Sequence, residues 1–487
     1  MTTRLETPQT VCRAAIVSTD ITPPVGIYHR MWGAALHDRA TGVHRPLMAV
    51  LLWIAPENPR GDGPTTDDRI IIGLDHCVLA SEEMLAIRTA AAEAAGVTLE
   101  QVLVTLTHTH GSGWMSRDRA HLPGGDLIGP YLDGLARTVA TMAMAAKSRL
   151  VPASIVYGEG RCSLAAHRDF PDPETGAVVC GFHPEGPADD TLLVARIVDS
   201  QGTTLGTIVN YACHPTTLAW ENTRISPDWV GRMRELVEQA TGGPCLFLQG
   251  ASGDLGPREG FVGEARVADS NGEQVGYAAL AALASLPEPA TAFEYAGPVL
   301  SGATLGTWRH VPLDQATRAA QARIDWQKLT VPLPYRPDLP TIAQTEAERT
   351  AWQEREGQAR SAGDELRTRD CRAEIERRTR QLTRLRALAP GDAFPLPVHV
   401  ARLGDAVWVF LPGELYQEFQ IAIRNAVPGT PVIVATLTND WQPGYIPPAH
   451  TFGHGIYQEV IAATAAGAAE QLTETIVATV RRIDSNP

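Results

Sequence analysis

Nowhere in the 487 residues is there a run of about eighteen apolar side chains, the length a helix needs to cross a bilayer. The N-terminus, MTTRLETPQT, is polar and has no apolar segment of the kind a secretion signal carries. Together these absences predict a cytoplasmic protein with no membrane span. The seven cysteines (Cys12, Cys77, Cys162, Cys180, Cys213, Cys245 and Cys371) are odd in number, far apart and without a CxxC pair. They read as reduced, mostly buried thiols. No basic block is present to neutralise phosphates: the net charge is −14, and the arginines between Arg367 and Arg386 are interleaved with Asp370, Glu374 and Glu376, as on a solvated helix. Nucleic acid is therefore excluded as a partner. There is no P-loop, no GxGxxG after a strand and no GxSxG elbow, so the usual nucleotide-binding and serine-hydrolase readings fall away.

What is present is an ordinary enzyme-like composition, 44% hydrophobic and 20% charged, in a chain long enough to bury a large core. Apolar strands and amphipathic helices alternate along it. Strands are predicted at Leu47–Ile54, Ile70–Leu74, Val102–Leu106, Leu192–Val198, Leu205–Cys213, Cys245–Gln249, Val407–Leu411 and Val432–Leu437. Helices are predicted from an N-cap at Ser81 to Gly96, over Tyr131–Lys147, Pro227–Ala240, Glu414–Asn425 and Gln471–Ile483. The segment from about 313 to 388 carries Glu/Arg pairs at helical spacing and few aromatics, and reads as one or two surface helices forming an insertion or lid. The fold class expected is α/β, with mixed β-sheets flanked by helices.

Several strands end in a polar residue beside Gly or Pro: Asp75, His108, His214, Asp254, Glu414 and Asn439. In open α/β sheets the ligand crevice lies off the carboxyl ends of the strands, so these residues are expected to converge there. The most concentrated signal is Val102–His110, VLVTLTHTH, where a buried strand delivers two imidazoles to its exposed end. If that end stays extended, His108 and His110 point to the same side. Imidazole is the commonest protein metal ligand and also titrates nearest neutrality, so one ring would bind a metal while the other moves protons. Mixed His/Glu sets suit catalytic zinc. Spacing alone does not select three ligands from 14 histidines and many carboxylates. Glu414 taken by itself is equally a first-turn acid of the helix that follows, and Asp228 reads as a helix cap.

A resemblance makes the selection. Thr107-His-Thr-His110 followed by Gly/Ser, Asn210-Tyr-Ala-Cys-His-Pro-Thr216, Leu411-Pro-Gly-Glu414 and Gly444-Tyr-Ile-Pro447 with a second tyrosine at Tyr457 resemble the neutral/alkaline, non-lysosomal ceramidase family. The opening Asp20-Ile-Thr-Pro-Pro and Gly42-Val-His44 are similar too, and the segments occur in the family's order across most of the chain. The resemblance implies a single Zn2+ held by His108, His214, Glu414 and Tyr445 at the carboxyl ends of strands, activating water for hydrolysis of a linear amide. It implies that His110 faces the substrate amide as general base and acid or as oxyanion donor. Arg168 and Tyr457 are then donors to the developing charge.

Departures from the family's pattern qualify the substrate. No secretion signal, membrane anchor or C-terminal β-sandwich domain is evident, so residues 1–487 are expected to form one ceramidase-like catalytic domain with the helical insertion. The histidine motif continues as Gly111-Ser-Gly-Trp114 instead of Ser-Gly-Pro-Gly-Gly. The expected substrate is thus a soluble or short-chain small-molecule amide. The alternatives are a zinc hydrolase of an ester, carbamate or phosphate ester, and a metal-free homologue. The sequence leaves a homo-oligomer open.

Overall fold

The computed structural model describes residues 3–57 and 63–484. Its main sheet has eight strands: β1 (Gln9–Asp20), β2 (Met48–Ala55), β3 (Arg69–Leu74), β4 (Val102–Leu106), β5 (Val151–Arg161), β6 (Thr191–Asp199), β7 (Thr204–Tyr211) and β8 (Cys245–Gln249). They are ordered β8-β7-β6-β5-β1-β2-β3-β4, with the pairs β7–β8 and β3–β4 parallel and the rest antiparallel. A second sheet contains β9 (Ile324–Pro334), β10 (Ala393–Leu403), β11 (Ala406–Phe410) and β12 (Val432–Ala435), in that order.

The two sheets pack face to face. Ala14, Leu52, Ile155 and Leu248 of the first meet Leu403, Trp408, Phe410 and Ile433 of the second in one apolar layer. The outer face of the large sheet is covered by α1 (Ser81–Ala95) and α2 (Ile128–Ser148) at one end and by α3 (Trp229–Thr241) and α4 (Ala265–Ala284) at the other. After those come α5 (Ile342–Ser361), α6 (Glu365–Ala387), α7 (Gln417–Ala426) and α8 (Ala468–Asp484). Helices α7 and α8 cover the outer face of the small sheet. The result is a four-layer arrangement, helices on sheet on sheet on helices, the α/β class expected of the sequence. It explains why β2, MAVLLWIA, is apolar throughout instead of alternating: both of its faces are buried.

Two local expectations change. Ser81 begins α1 without capping it; its hydroxyl donates to Asp440 Oδ2 at 2.6 Å, while Gly96 at φ +73° closes the helix by donating to the Ala92 carbonyl. The segment 313–388 is not helical throughout, because Ile324–Pro334 is the edge strand of the second sheet, burying Val331 and Leu333. An edge position tolerates Pro332 and Pro334, whose missing N–H groups would break an interior ladder. A short helix, Gln315–Gln321, precedes that strand and helices α5 and α6 follow it, and α6 is not merely a surface: Cys371, Glu376 and Leu382 on its inner side are buried.

Candidate active site

Three strand ends supply the centre. His108 lies two residues past β4, His214 three past β7 and Glu414 four past β11, and their ligand-type atoms all fall within 4.8 Å of one another. The tail after β4 does not stay extended. His108 has φ +67°, in the left-handed region that a β-carbon disfavours, and His110 opens a 3₁₀ turn. The two rings nevertheless come together, centroids 5.0 Å apart, because the chain folds back instead of alternating. Gly111 permits this: a β-carbon there would sit 2.6 Å from the Ser226 carbonyl oxygen.

The hydrogen bonds fix the imidazoles. His108 Nδ1 donates to the Cys77 carbonyl at 2.8 Å and His214 Nδ1 to the Ser252 carbonyl at 2.7 Å. A carbonyl only accepts, so both rings carry their proton on Nδ1 and, when neutral, present a lone pair at Nε2. Both Nε2 atoms face one oxygen, Glu414 Oε2, at 3.2 Å and 3.0 Å. Lone pairs facing a carboxylate oxygen require a positive charge between them.

The electrostatics repeat that requirement. Burial works to raise Glu414, but His108 and His214 hold it well below the usual carboxylate range. Burial likewise pulls His108 down, yet Cys77 and Glu414 push it well above its ordinary value, while burial and Arg168 lower His214 to about 4. The two imidazoles and the carboxylate hold each other in opposite charge preferences, and two imidazoles plus a carboxylate fit a divalent cation between them.

Tyr445 joins from a short parallel pairing of Tyr445–Ile446 with Glu414–Leu415. Its hydroxyl lies 3.2 Å from His214 Nε2 and accepts a 2.8 Å bond from Arg168 Nη2. Burial raises this phenol well above its ordinary range; Arg168 opposes the shift and Glu414 adds to it. The Arg168 guanidinium is otherwise taken up by the Gly253 carbonyl. It pairs with neither Asp169 nor Asp172 and does not line the cavity over the centre.

That cavity, of about 60 Å³, is bounded by His108, His110, Glu414, Tyr445, Tyr457 and Trp114, with Arg380 and Arg384 of α6 above. His110 stands 5.0 Å from the Trp32 ring, and its Nε2 is buried with no hydrogen-bond partner among the described residues. Burial, with His108 and His214 beside it, holds His110 well below the ordinary histidine value, so it is neutral. Tyr457 is 48% exposed and meets Tyr445 edge-on at 5.9 Å.

The remaining strand-end acids and amides do not converge on the centre. Asp75 is buried in a bidentate pair with Arg234 at 2.7 Å and 2.8 Å. Asp254 accepts from the backbone and side chain of Gln417 at the start of α7, and Asn439 Oδ1 accepts from Val104 N. Asp228 caps α3 as expected, from a positive φ of 56°. Glu414 precedes α7 by three residues and is not its first-turn acid.

No family model matches the chain, and no curated protein matches it by sequence. Solved structures do. Neutral ceramidase from Pseudomonas aeruginosa superposes with a TM-score of 0.64 at 16% identity, over 98% of this chain and 75% of that one. The chain has the neutral ceramidase fold. A ceramidase complexed with C2 gives a TM-score of 0.63 at 16% identity over the same 98% and 75% shares.

Within this neutral ceramidase fold, sequence reasoning missed Cys77, Trp32, Arg380 and Arg384. Cys77, with His108 and His110, forms a second group able to hold a metal. Its signal was weak, a lone cysteine after Asp75-His76. Arg380 and Arg384 stand four apart on one face of a helix, a spacing visible in the sequence but lost among the other arginines of the same helix. Trp114 is the departure from the family's glycine-rich motif. Its buried ring packs on Trp441 at 5.9 Å and carries the Arg380 guanidinium at 4.6 Å, giving the cavity an aromatic and cationic wall.

Proposed function

We propose that the protein is a zinc-dependent amidohydrolase that cleaves linear N-acyl amides of compact, soluble substrates. The observation that carries this reading is the convergence of the His108 and His214 Nε2 atoms on Glu414 Oε2, with both Nδ1 atoms tied to backbone carbonyls. In this reading His108, His214, Glu414 and Tyr445 hold one zinc. Bound there, zinc supplies Lewis acidity, which polarises a carbonyl and brings the pKa of water toward neutrality.

The chain's own residues do the rest. His110, neutral and with Nε2 free, takes the proton released as water attacks the carbonyl carbon and returns it to the departing amine. Tyr457 donates to the oxygen on which negative charge develops. Arg168 acts through Tyr445, which it polarises and positions. Trp114 lines the cavity and Trp32 packs against the His110 ring, and both limit the water that reaches the imidazole. The solved relatives are ceramidases, whose name denotes hydrolysis of the ceramide amide, and this supports an amide as the scissile bond here. The cavity over the centre, about 60 Å³, and the cleft of about 270 Å³ that adjoins it favour a compact substrate: each buried methylene of a long acyl chain contributes about 0.8 kcal/mol only where a longer apolar groove receives it.

The test is a panel of N-acyl amides of increasing acyl length, with matched esters and carbamates, assayed with and without a chelator. The reading expects short amides to give the highest kcat/KM and the chelator to abolish turnover. Efficiency rising steadily to long-chain ceramide overturns the substrate class, and decisive preference for an ester or carbamate overturns the amidase.

A further inference from the structure

Helix α6 places two arginines over the metal-type centre, and only one of them is held. Arg380 Nε donates to Glu376 Oε1 at 2.8 Å, its Nη2 reaches the Met31 carbonyl, and its guanidinium stacks on Trp114. Arg384 lies one turn further on and lines the same cavity as His108, His110, Glu414 and Tyr445. Its aliphatic stem packs against Gly444, next to Tyr445. No hydrogen bond or ion pair joins its guanidinium to any described residue. Burial pushes its pKa below the ordinary arginine value; Tyr457 pulls it back up and Arg380 adds to the depression.

An adjoining cleft of about 270 Å³ shares Arg384 and Ile461 with the central cavity and is walled by Leu339, Leu385, Leu388 and Val460. The other charges lining it are satisfied. Arg336 pairs with Asp338 at 2.6 Å and 2.7 Å, and the Glu459 carboxylate accepts the Gly453 and Gly455 N–H groups. Arg384, drawn by Glu414 across the cavity but with no hydrogen-bonded or ion-paired partner among the described residues, thus stands at the junction of a small reactive cavity and a larger cleft.

A half-buried guanidinium has five donors, cannot shed its proton and loses hydration without return unless an anion meets it. Its planar fork matches a carboxylate bidentately. Glu414 faces the same cavity and would repel a phosphate dianion more than a single carboxylate.

We infer that Arg384 is a specificity-determining residue, and that the substrate is an amide bearing a free carboxylate a few bonds from the scissile C–N bond, as N-acyl amino acids do. This rests on the amidohydrolase reading above. In the reaction the C–N bond breaks, water gives its hydroxyl to the acyl carbon and a proton to the amine, and the products are a carboxylic acid and a free amino acid. The apolar cleft beyond Arg384 receives the apolar acyl part or amino-acid side chain.

The experiment compares wild type, Arg384→Gln and Arg384→Lys on N-acetyl and N-hexanoyl derivatives of leucine, phenylalanine and glutamate, each against the same amide lacking the α-carboxylate. Rates and calorimetric binding are both measured on the purified full chain. Wild type should favour the acids, and Arg384→Gln should cut the acid-to-neutral ratio of kcat/KM by about 10- to 100-fold, the worth of hydrogen bonds to a charged group. Acid binding should weaken by a similar factor, and Arg384→Lys, with charge but no fork, should recover part of the loss. No preference for acids in wild type, or a ratio unchanged in both variants, overturns the inference. Acids bound in an Arg384-dependent way while no amide is cleaved would keep this inference and overturn the amidohydrolase reading. Neutral amides cleaved while acids are neither bound nor preferred would do the reverse.

Discussion

Arg168 Nη2 donates a 2.8 Å hydrogen bond to the hydroxyl oxygen of Tyr445, and both side chains are buried. The arginine is itself anchored: its backbone N–H donates to the Asp254 carbonyl at 2.9 Å, and its guanidinium donates to the Gly253 carbonyl. One loop, 253–254, therefore sets the position of Arg168 and, through it, the direction of the Tyr445 oxygen. Replacing Arg168 with Met should weaken zinc binding by about 10- to 100-fold, the usual cost of removing a group that orients a ligand. Competition with a chromophoric chelator measures this, and unchanged affinity would remove Arg168 from the metal site.

His110 and Tyr457 should separate from the ligands in the opposite sense. His110→Ala and Tyr457→Phe are expected to retain metal yet lose turnover by about 10²- to 10³-fold, the usual effect of deleting one group that stabilises the transition state. Metal content and kcat measured on the same preparations decide it. Variants with full metal and near-normal rates would exclude these residues from the chemistry.

Glu376 makes stability depend on acidity. It is buried between Arg119, whose Nη1 and Nη2 donate at 2.9 Å and 3.1 Å, and Arg380 at 2.8 Å. Burial raises its carboxyl, but Arg380 and Arg119 outweigh this and hold it at about 2, against an ordinary value of 4.5. A carboxyl depressed on folding contributes stability that is present in full above its unfolded value and is lost as pH falls through the folded one. Here the difference corresponds to about 3 kcal/mol, present at neutral pH and lost between roughly pH 4.5 and 2. Urea unfolding at pH 7, 5, 4 and 3 should show Glu376→Gln less stable than wild type at neutrality, with the gap narrowing as pH falls. A gap independent of pH would contradict the assignment.

The strands were legible because burial on both faces leaves continuous apolar runs. Cys245–Gln249 and Val102–Leu106 end where their sequences say they should. The edge strand Ile324–Pro334 was not, since its two prolines and its helical neighbours obscure a weak alternation. At the site, His108, His214 and Glu414 stand out as polar residues at strand ends. Asp75, Asp254 and Asn439 share that pattern, and only their partners, Arg234, Gln417 and the Val104 amide, distinguish a structural role. The route by which His108 and His110 meet was illegible too, because a positive φ at a histidine depends on the packing of Gly111 against Ser226, far away in the chain. The inner face of α6 was hidden for a different reason: side chains that look solvated in a charged helix, Arg380 and Arg384, line a cavity once the helix is packed over it.

The central claim, that His108, His214, Glu414 and Tyr445 form a zinc site, is tested most directly by elemental analysis of protein purified without chelators. The account predicts about one equivalent of zinc per chain, because the two ligand groups share His108, and its loss from a His108→Ala/His214→Ala double variant that still folds. Wild-type protein without a bound transition metal, or a double variant with its metal content undiminished, would contradict it.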